Sequence, residues 1–490
     1  MTERKRIAVV GSGVAGLSAA YLLAREHDVT IFEREQAVGM DAHSMDSHGA
    51  RMDIPLRVFS ESYYPNLCNL YRHIGVKYCA ADYSFSCLNH YPGATAYFRY
   101  INMFVGGMAL PLPMHLNGVT QMLKCLRLAA NFAHFVNNAP RKLAATKADP
   151  PLGDFLRAEG YSEEFSSLLL YPMLSVVCTA SYAAVAAYPA SIVVDYFANK
   201  YGLSGAQCRA YEGTQDVVAR LTAPIKRVVT SATITSISAT GARTESAAYP
   251  VDDRARADSS HAQPMLCWQD ADGKLTVEHF DEIVLAMQAN ASLKVLRTSD
   301  NAQLEALRGF KYESNRVLLH TDASLMPSHR RDWSPLNIVV EPTDHAASVT
   351  VWMNRIDHQL RAELRTDVFQ TWNPRVEPSP SAVVADFTFE RPVVTPASQA
   401  SMAALHASQG SGHVWFIGAY SRYSMPLLEN GVKSAMEVAR ALGVRTSDLE
   451  VDEEQLMAEA AAAQARRRVR LLGAAAVLAA VAACRFRRVG

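Results

Sequence analysis

Three glycines and one acid near the start of the chain could together grip a dinucleotide: Gly11, Gly13, Gly16 and Glu33. Gly11 permits a tight turn, Gly13 lets a pyrophosphate approach the backbone, and Gly16 lets a helix pack closely on a strand. Glu33 stands about 20 residues past the glycines, where a carboxylate accepts hydrogen bonds from a ribose diol. Its charge would repel a 2′-phosphate, which favours FAD or NAD over NADP. The elements that position these residues are legible around them. Ile7–Val10 is a short apolar run ending at Gly11, Val14 to about Arg25 reads as a helix, and His27–Phe32 reads as a second strand. The helix would aim its free N–H groups and positive dipole end at the phosphates. A chance glycine turn would lack this register. A secretory signal is the other reading of Arg4–Arg6 before an apolar run, but the glycines inside the run and the DVTIFE strand after it argue against removal.

A chain of 490 residues can build two or three domains around a large core. Lysine plus arginine and aspartate plus glutamate both number 48, so global charge calls for no nucleic acid. Eight scattered cysteines without a C-x-x-C pair point to free thiols in a reducing, intracellular compartment. His43, His48, His320 and His329 stand apart from cysteines and acids at ligand spacing, so no metal site is expected.

The expected organisation is an α/β chain with an α+β substrate part. The dinucleotide module runs over 1–76, with a helix at Tyr64–Ile74, and 77–205 forms the first piece of a substrate domain. Within it, Ala139–Pro151 reads as an exposed linker, with Asp154 available to cap the next helix. Residues 206–300 return to the α/β pattern, with a glycine turn into a helix at Gly213–Leu221, a β-rich Arg227–Ser238 and a buried strand at Glu282–Met287. The polar stretch 241–264 reads as a disordered insertion. Residues 301–410 form the second substrate piece, and 411–450 close the nucleotide domain with a strand at Val414–Ile417 and a helix at Glu429–Leu442. The tail, 451–490, reads as helical. Its uncharged run Leu471–Cys484 is bracketed by arginines that can snorkel, and it reads as a possible membrane anchor or surface helix, short of the ~20 residues of a comfortable span.

Taken together these landmarks resemble the flavin-dependent amine oxidase and phytoene desaturase superfamily, whose Rossmann-like FAD domain is interleaved with a substrate domain. More narrowly, the segments YPNLCNLYRHIGV, NRVLLHTDASLMP and FIGAY…LLENGVKSAMEVA resemble a branch of predicted NAD/FAD-binding proteins. That branch is also similar to the flavin-binding N-terminal region of plant cyclopropane fatty-acid synthases. The resemblance implies FAD as cofactor, with Gly11, Ser12, Gly13, Ala15, Gly16 and Glu33 holding pyrophosphate and ribose, Arg34 over the adenine edge, and Ile234 at the adenine backbone contact. It also implies that Gly418 and Ala419 face the ribityl chain. Leu428, Glu429 and Val432 would then begin a helix that favours negative charge on the reduced flavin.

Two departures from that pattern stand out. Relatives carry two consecutive glycines where this chain has Gly39-Met40, and Pro55 and Arg57 replace a glycine-bearing strand near the isoalloxazine. No acid/base dyad is evident. The candidates for the catalytic site are His320, Tyr420, Tyr423 and Arg57, the last as partner of a substrate carboxylate or a flavin carbonyl. His320 reads equally as a structural histidine, and Trp268, Trp352 and Trp415 read as core. The expected activity is hydride transfer from a C–H of an apolar, lipid-like substrate to flavin. Amine oxidation, a non-catalytic flavoprotein partnering a lipid-modifying enzyme, and an NAD-dependent dehydrogenase are the alternatives.

Overall fold

Five parallel strands form the nucleotide half: β1 (Arg6–Val10), β2 (Asp28–Phe32), β3 (Arg227–Val229), β4 (Glu282–Leu285) and β5 (Val414–Phe416), ordered β3-β2-β1-β4-β5. Ile7, Ala8 and Val9 are wholly buried, as a central parallel strand covered on both faces requires. Register is continuous across the middle of this sheet, Val9 facing Ile31 on one side and Val284 on the other, with Val284 facing Trp415 beyond. The computed structural model describes residues 3–89, 95–105, 108–113, 118–200, 207–239, 263–340, 347–452 and 458. Through Asp448 the chain forms one compact unit, and Leu449 begins another.

Five helices matter here: α1 (Val14–Leu23), α2 (Pro65–His73), α3 (Val119–Ala144), α4 (Gly213–Thr222) and α5 (Leu428–Ala441). The last packs along α1. A Cβ at Gly431 would lie 2.9 Å from Val14 Cγ1 and 3.4 Å from Ala15 Cβ, so a glycine is needed where α5 meets the start of α1.

The second half is an eight-stranded sheet drawn from 85–113 and 311–393. Its order is Val383–Val393, Lys311–His320, Phe369–Trp372, Ser348–Trp352, Leu336–Val339, Phe85–Leu88, Ala96–Val105 and Met108–Pro113. Only the Leu336–Val339 and Phe85–Leu88 pair is parallel. A four-stranded sheet containing Thr233–Ser238 and Met265–Gln269 lies apart from both in hydrogen bonding.

Two local expectations fail. Residues 139–144 are not a linker, because α3 continues through Pro140 to Ala144. Ala139 is fully buried, and Lys142 bonds to the Glu159 carbonyl at 2.8 Å, so packing holds the turn that proline alone would break. Asp154 does not cap its helix. It lies within the first turn, paired with Arg157, and Pro151 occupies the cap position. Residues 241–262 of the insertion expected at 241–264, and the apolar run 471–484, lie outside the described residues. Among the described residues no helix is long and apolar enough to cross a membrane.

Candidate functional site

The glycine turn is closed by its own backbone and by one carboxylate. Gly11, at φ +96°, donates its N–H to Phe32 O at 2.8 Å. Glu33 Oε2 accepts from Ser12 N at 3.0 Å and from the Ser12 hydroxyl, while Oε1 accepts from Glu35 N at 3.0 Å. A carboxylate has about four lone-pair positions, so Oε1 keeps capacity for a further donor such as a ribose hydroxyl. The glycines differ in what they spare. A Cβ at Gly16 would sit 1.9 Å from Gly11 O, so that residue serves helix–strand packing, whereas a Cβ at Gly13 would meet nothing within 4 Å. The space over Gly13 is a cradle that a diphosphate fits. Ala15 is buried in the first turn of α1 beneath it.

The Gly39-Met40 loop docks on this turn despite its missing second glycine. Gly39 N donates to Ser12 Oγ at 2.7 Å, Gly39 holds φ +68°, and Met40 turns its side chain into the interior. Ala232 N and Ser231 N bond to the carbonyls of Glu33 (2.8 Å) and Glu35 (2.9 Å), which brings the strand bearing Ile234 beside the ribose acid. Arg34 is exposed and pairs with Glu35 at 3.1 Å.

At the other end of the cradle, α5 begins against α1, and Glu429 in its first turn is buried. Its carboxylate accepts from Asn66 N (3.1 Å), Asn66 Nδ2 (2.7 Å) and Leu67 N (3.0 Å) at the start of α2. One side chain therefore ties two helix N-termini together, and burial still raises its pKa. Leu428 is half-buried and Val432 fully buried. Gly418, at φ +152°, donates to Ser434 Oγ at 3.1 Å, and a Cβ there would strike the Tyr420 ring at 2.7 Å. Ala419 starts the short turn that carries Tyr420.

The proposed catalytic side chains make no contact with one another among the described residues. His320 ends its strand fully buried, with Nε2 2.7 Å from Thr371 Oγ1 and Nδ1 accepting from Asp322 N at 3.2 Å. That pair of bonds selects the Nε2–H tautomer. Burial lowers its pKa to about 4, so His320 is neutral at pH 7. Tyr420 is buried edge-on to Phe310, and its hydroxyl has no partner among the described residues. Tyr423 donates to Asp149 Oδ2 at 3.0 Å. Trp268 is buried, and the half-buried Trp352 and Trp415 donate to Asp367 (3.0 Å) and Glu282 (2.8 Å).

Arg57 stands on a segment fastened to both halves. Asp53 Oδ1 accepts from Thr214 N (3.1 Å) and Thr214 Oγ1 (2.7 Å) in α4, while Leu56 N donates to Gln370 Oε1 (2.8 Å) in the eight-stranded sheet. The guanidinium itself reaches Pro55 O at 3.2 Å. Beside it lies a residue the sequence did not single out. Arg391 shares one face of strand Val383–Val393 with Phe389 and Phe387, all three half-buried, while Asp386, Thr388 and Glu390 point outward. The Arg391 guanidinium rests 5.6 Å from the Trp372 ring centre, and no carboxylate pairs with it among the described residues. Burial, and then repulsion from Arg57, lowers its pKa to about 10. His43, from the loop after Met40, covers Phe387 and Phe389 at 4.8 and 5.3 Å, and burial lowers its pKa too. This wall is aromatic and cationic.

Two other clusters lie elsewhere. Cys79, Asp357 and His358 have metal-type donor atoms within 4.8 Å of one another, but Asp357 already takes Arg209 at 2.8 Å and the amides of Gln359 and Leu360. A cavity of about 450 Å³ lies at the end of the eight-stranded sheet, lined by Arg99, Arg330, Arg355, Trp333 and Trp352 among others.

The family model for an NAD(P)-binding Rossmann-like domain matches residues 9–74, the span of the cradle and α2. The backbone superposes on a crystal structure of a CLA-producing fatty acid isomerase from P. acnes (15% identity, TM-score 0.59), covering 90% of this chain and 99% of that one. A putative protoporphyrinogen oxidase from Exiguobacterium sp. 255-15 gives 13% identity and TM-score 0.57, with 90% and 99% covered. Cyclohexylamine oxidase from Brevibacterium oxydans IH-35A gives 12% and 0.57, with 90% and 100% covered. The chain has an amine oxidase-like fold. Comparison with curated protein sequences finds no match. The cradle thus lies in the Rossmann-like part of the chain, and the wall bearing Arg391 belongs to the sheet of the other half.

Proposed function

We propose that the protein is an FAD-dependent oxidoreductase acting on a C–H bond of an apolar, lipid-like substrate. The observation that carries this reading is the open space over Gly13 where α1 and α5 begin side by side. Two helix N-termini there favour an anionic group without moving a proton. When bound, FAD supplies the hydride acceptor. The chain's own residues supply the rest. Glu33 holds the ribose, Ser12 and the Gly39 loop fix the turn, and the amides at Leu428–Val432 stabilise negative charge at the reacting end. Phe387, Phe389 and Trp372 offer an apolar wall for the substrate.

Arg57 and Arg391 oppose the amine reading, because an ammonium substrate would enter a cleft already holding two guanidiniums. A reading as a non-catalytic flavoprotein is separated by experiment. Purified protein should be yellow or take up added FAD, and anaerobic addition of an unsaturated or saturated long-chain substrate should bleach it. Colourless protein that takes up no FAD would overturn the cofactor assignment. Stable colour with every lipid offered would overturn the catalytic one.

A further inference from the structure

Helix α3 wears part of its apolar surface on the outside. Cys125, Leu128, Phe135 and Ala139 face the protein, as a helix packed on strand Ala96–Val105 should. The opposite face runs Val119, Leu123, Leu126, Ala130 and Ala133, one stripe at helical spacing, and all five are exposed. Val119 is 76% exposed, Leu123 62%, Leu126 47% and nearby Ile101 37%. The other large apolar side chains so exposed among the described residues, Val277 and Val376, stand singly elsewhere. Isolated exposed leucines need no explanation, but a stripe does.

Charge along this stretch of the sequence has one sign. From Tyr83 through Ala148 the sequence contains no aspartate or glutamate, in a chain whose 48 acids balance 48 bases overall. The same span holds Arg99, Lys124, Arg127, Arg141, Lys142 and Lys147. Arg127 and Lys142 find acids outside the span, Glu164 and Glu159. Among the described residues Lys124 has only the Tyr97 ring, 4.7 Å away. Tyr97, Arg99 and Ile101 alternate onto one face of their strand, and Arg99 and Ile101 line the 450 Å³ cavity described above. Asp82 also lines that cavity and Arg330 there pairs with Asp367, while Arg99 donates to the carbonyls of Arg331 (2.9 Å) and Trp333 (3.1 Å) rather than to an acid. Arg355 lies 5.9 Å from the Trp352 ring centre, with no acid partner among the described residues.

We infer that the outer stripe of α3, together with the cavity that Arg99 and Ile101 line on the strand α3 packs against, is a docking surface for a bilayer containing anionic lipid headgroups. An apolar face inserted at the acyl boundary with bases at headgroup level is how an amphipathic helix lies on a membrane, and the cavity offers guanidiniums to a headgroup phosphate. A protein partner would bring acids of its own to this face and would have no use for vesicles.

The test is co-sedimentation of the full-length protein with phosphatidylcholine vesicles, with and without phosphatidylglycerol. The wild type should bind the anionic vesicles and lose most of that binding in high salt. Leu123→Glu/Leu126→Glu should weaken binding by about tenfold or more, because two apolar anchors are lost and two acids meet an anionic surface. Val277→Glu/Val376→Glu, which removes equally exposed side chains elsewhere, should bind like the wild type. Arg355→Ala should lower the preference for phosphatidylglycerol while leaving binding to neutral vesicles unchanged. Each variant is checked for unchanged thermal unfolding first. Wild-type protein that ignores anionic vesicles overturns the inference. So does Leu123→Glu/Leu126→Glu protein that binds them as well as the wild type, which would assign membrane binding to the C-terminal tail.

Discussion

The cradle after β1 and the inner face of strand Val383–Val393 are built on opposite plans. In the cradle the grip is local and mostly backbone. Gly11 bonds to Phe32, Ser12 to Glu33, and Gly39 to Ser12, with a glycine wherever two backbones meet. On the inner face, Phe387, Phe389 and Arg391 are half-buried side chains, and the cation has an aromatic ring for company instead of an acid. Their outward neighbour Asp386 is well paired, with Arg316 at 2.8 Å. A site for a fixed ligand can be closed and packed, so altering it costs stability. If the Arg391 wall receives the substrate, as proposed above, its unsatisfied cation means that altering it costs function and returns stability.

Breaking the cradle should therefore have the largest effect. Gly16→Ala forces a Cβ within 1.9 Å of a carbonyl, and cofactor-free protein should lose about 3 kcal/mol or more in urea unfolding, the upper end for overpacking. The His320 site, packed within the same sheet as the open wall, comes next. Its pKa falls from 6.5 when unfolded to about 4 when folded, so the native state binds fewer protons between those values. The stabilisation is complete above pH 6.5 and is lost as pH drops toward 4, a span worth about 3 kcal/mol. His320→Gln should flatten that acid limb in pH-dependent unfolding. It should also leave flavin reduction between pH 6 and 8 without a titration attributable to this residue.

Glu429→Gln should cost about 2 kcal/mol by placing an amide N–H against the donors of Asn66 and Leu67. The wild-type carboxyl has a raised folded pKa, so its ionisation weakens the fold as pH rises above the unfolded value, and the gap between variant and wild type should narrow toward neutral pH. On the open wall the sign should reverse. Arg391→Met should stabilise the cofactor-free protein by about 1 kcal/mol by removing an unpaired, half-buried cation, while substrate-induced flavin bleaching slows. Gly13→Ala sharpens the contrast most cleanly. Its Cβ meets no protein atom within 4 Å, so unfolding should shift by less than about 0.5 kcal/mol, yet FAD affinity measured by fluorescence quenching should fall.

The same division explains what could be read in the chain. Gly11, Gly16 and Glu33 act on partners close in sequence, so spacing alone located the β1–α1–β2 unit and the glycine turn at Gly213. Pro140 misled because a helix boundary was inferred from one residue, while the burial of Ala139 that overrides it comes from distant packing. Arg391 was invisible for a related reason. The alternation Phe387, Phe389, Arg391 shows that three residues share a face, but not which face turns inward. That is decided by pairing with Lys311–His320, which sets Glu313 opposite Arg391. Glu429 was singled out for its place at the start of α5, yet its bonds to Asn66 and Leu67 span most of the sequence and leave no local mark.

Those bonds also fix when the cleft can exist during synthesis. The Asn66 amide donors of α2 are made 363 residues before their acceptor, and Gly431 of that same later helix seats on Val14. A chain still on the ribosome lacks α5 and holds only an open half-cradle. On the function proposed above, loading with cofactor waits until α5 has been translated, and products truncated before Leu428 should take up no added FAD.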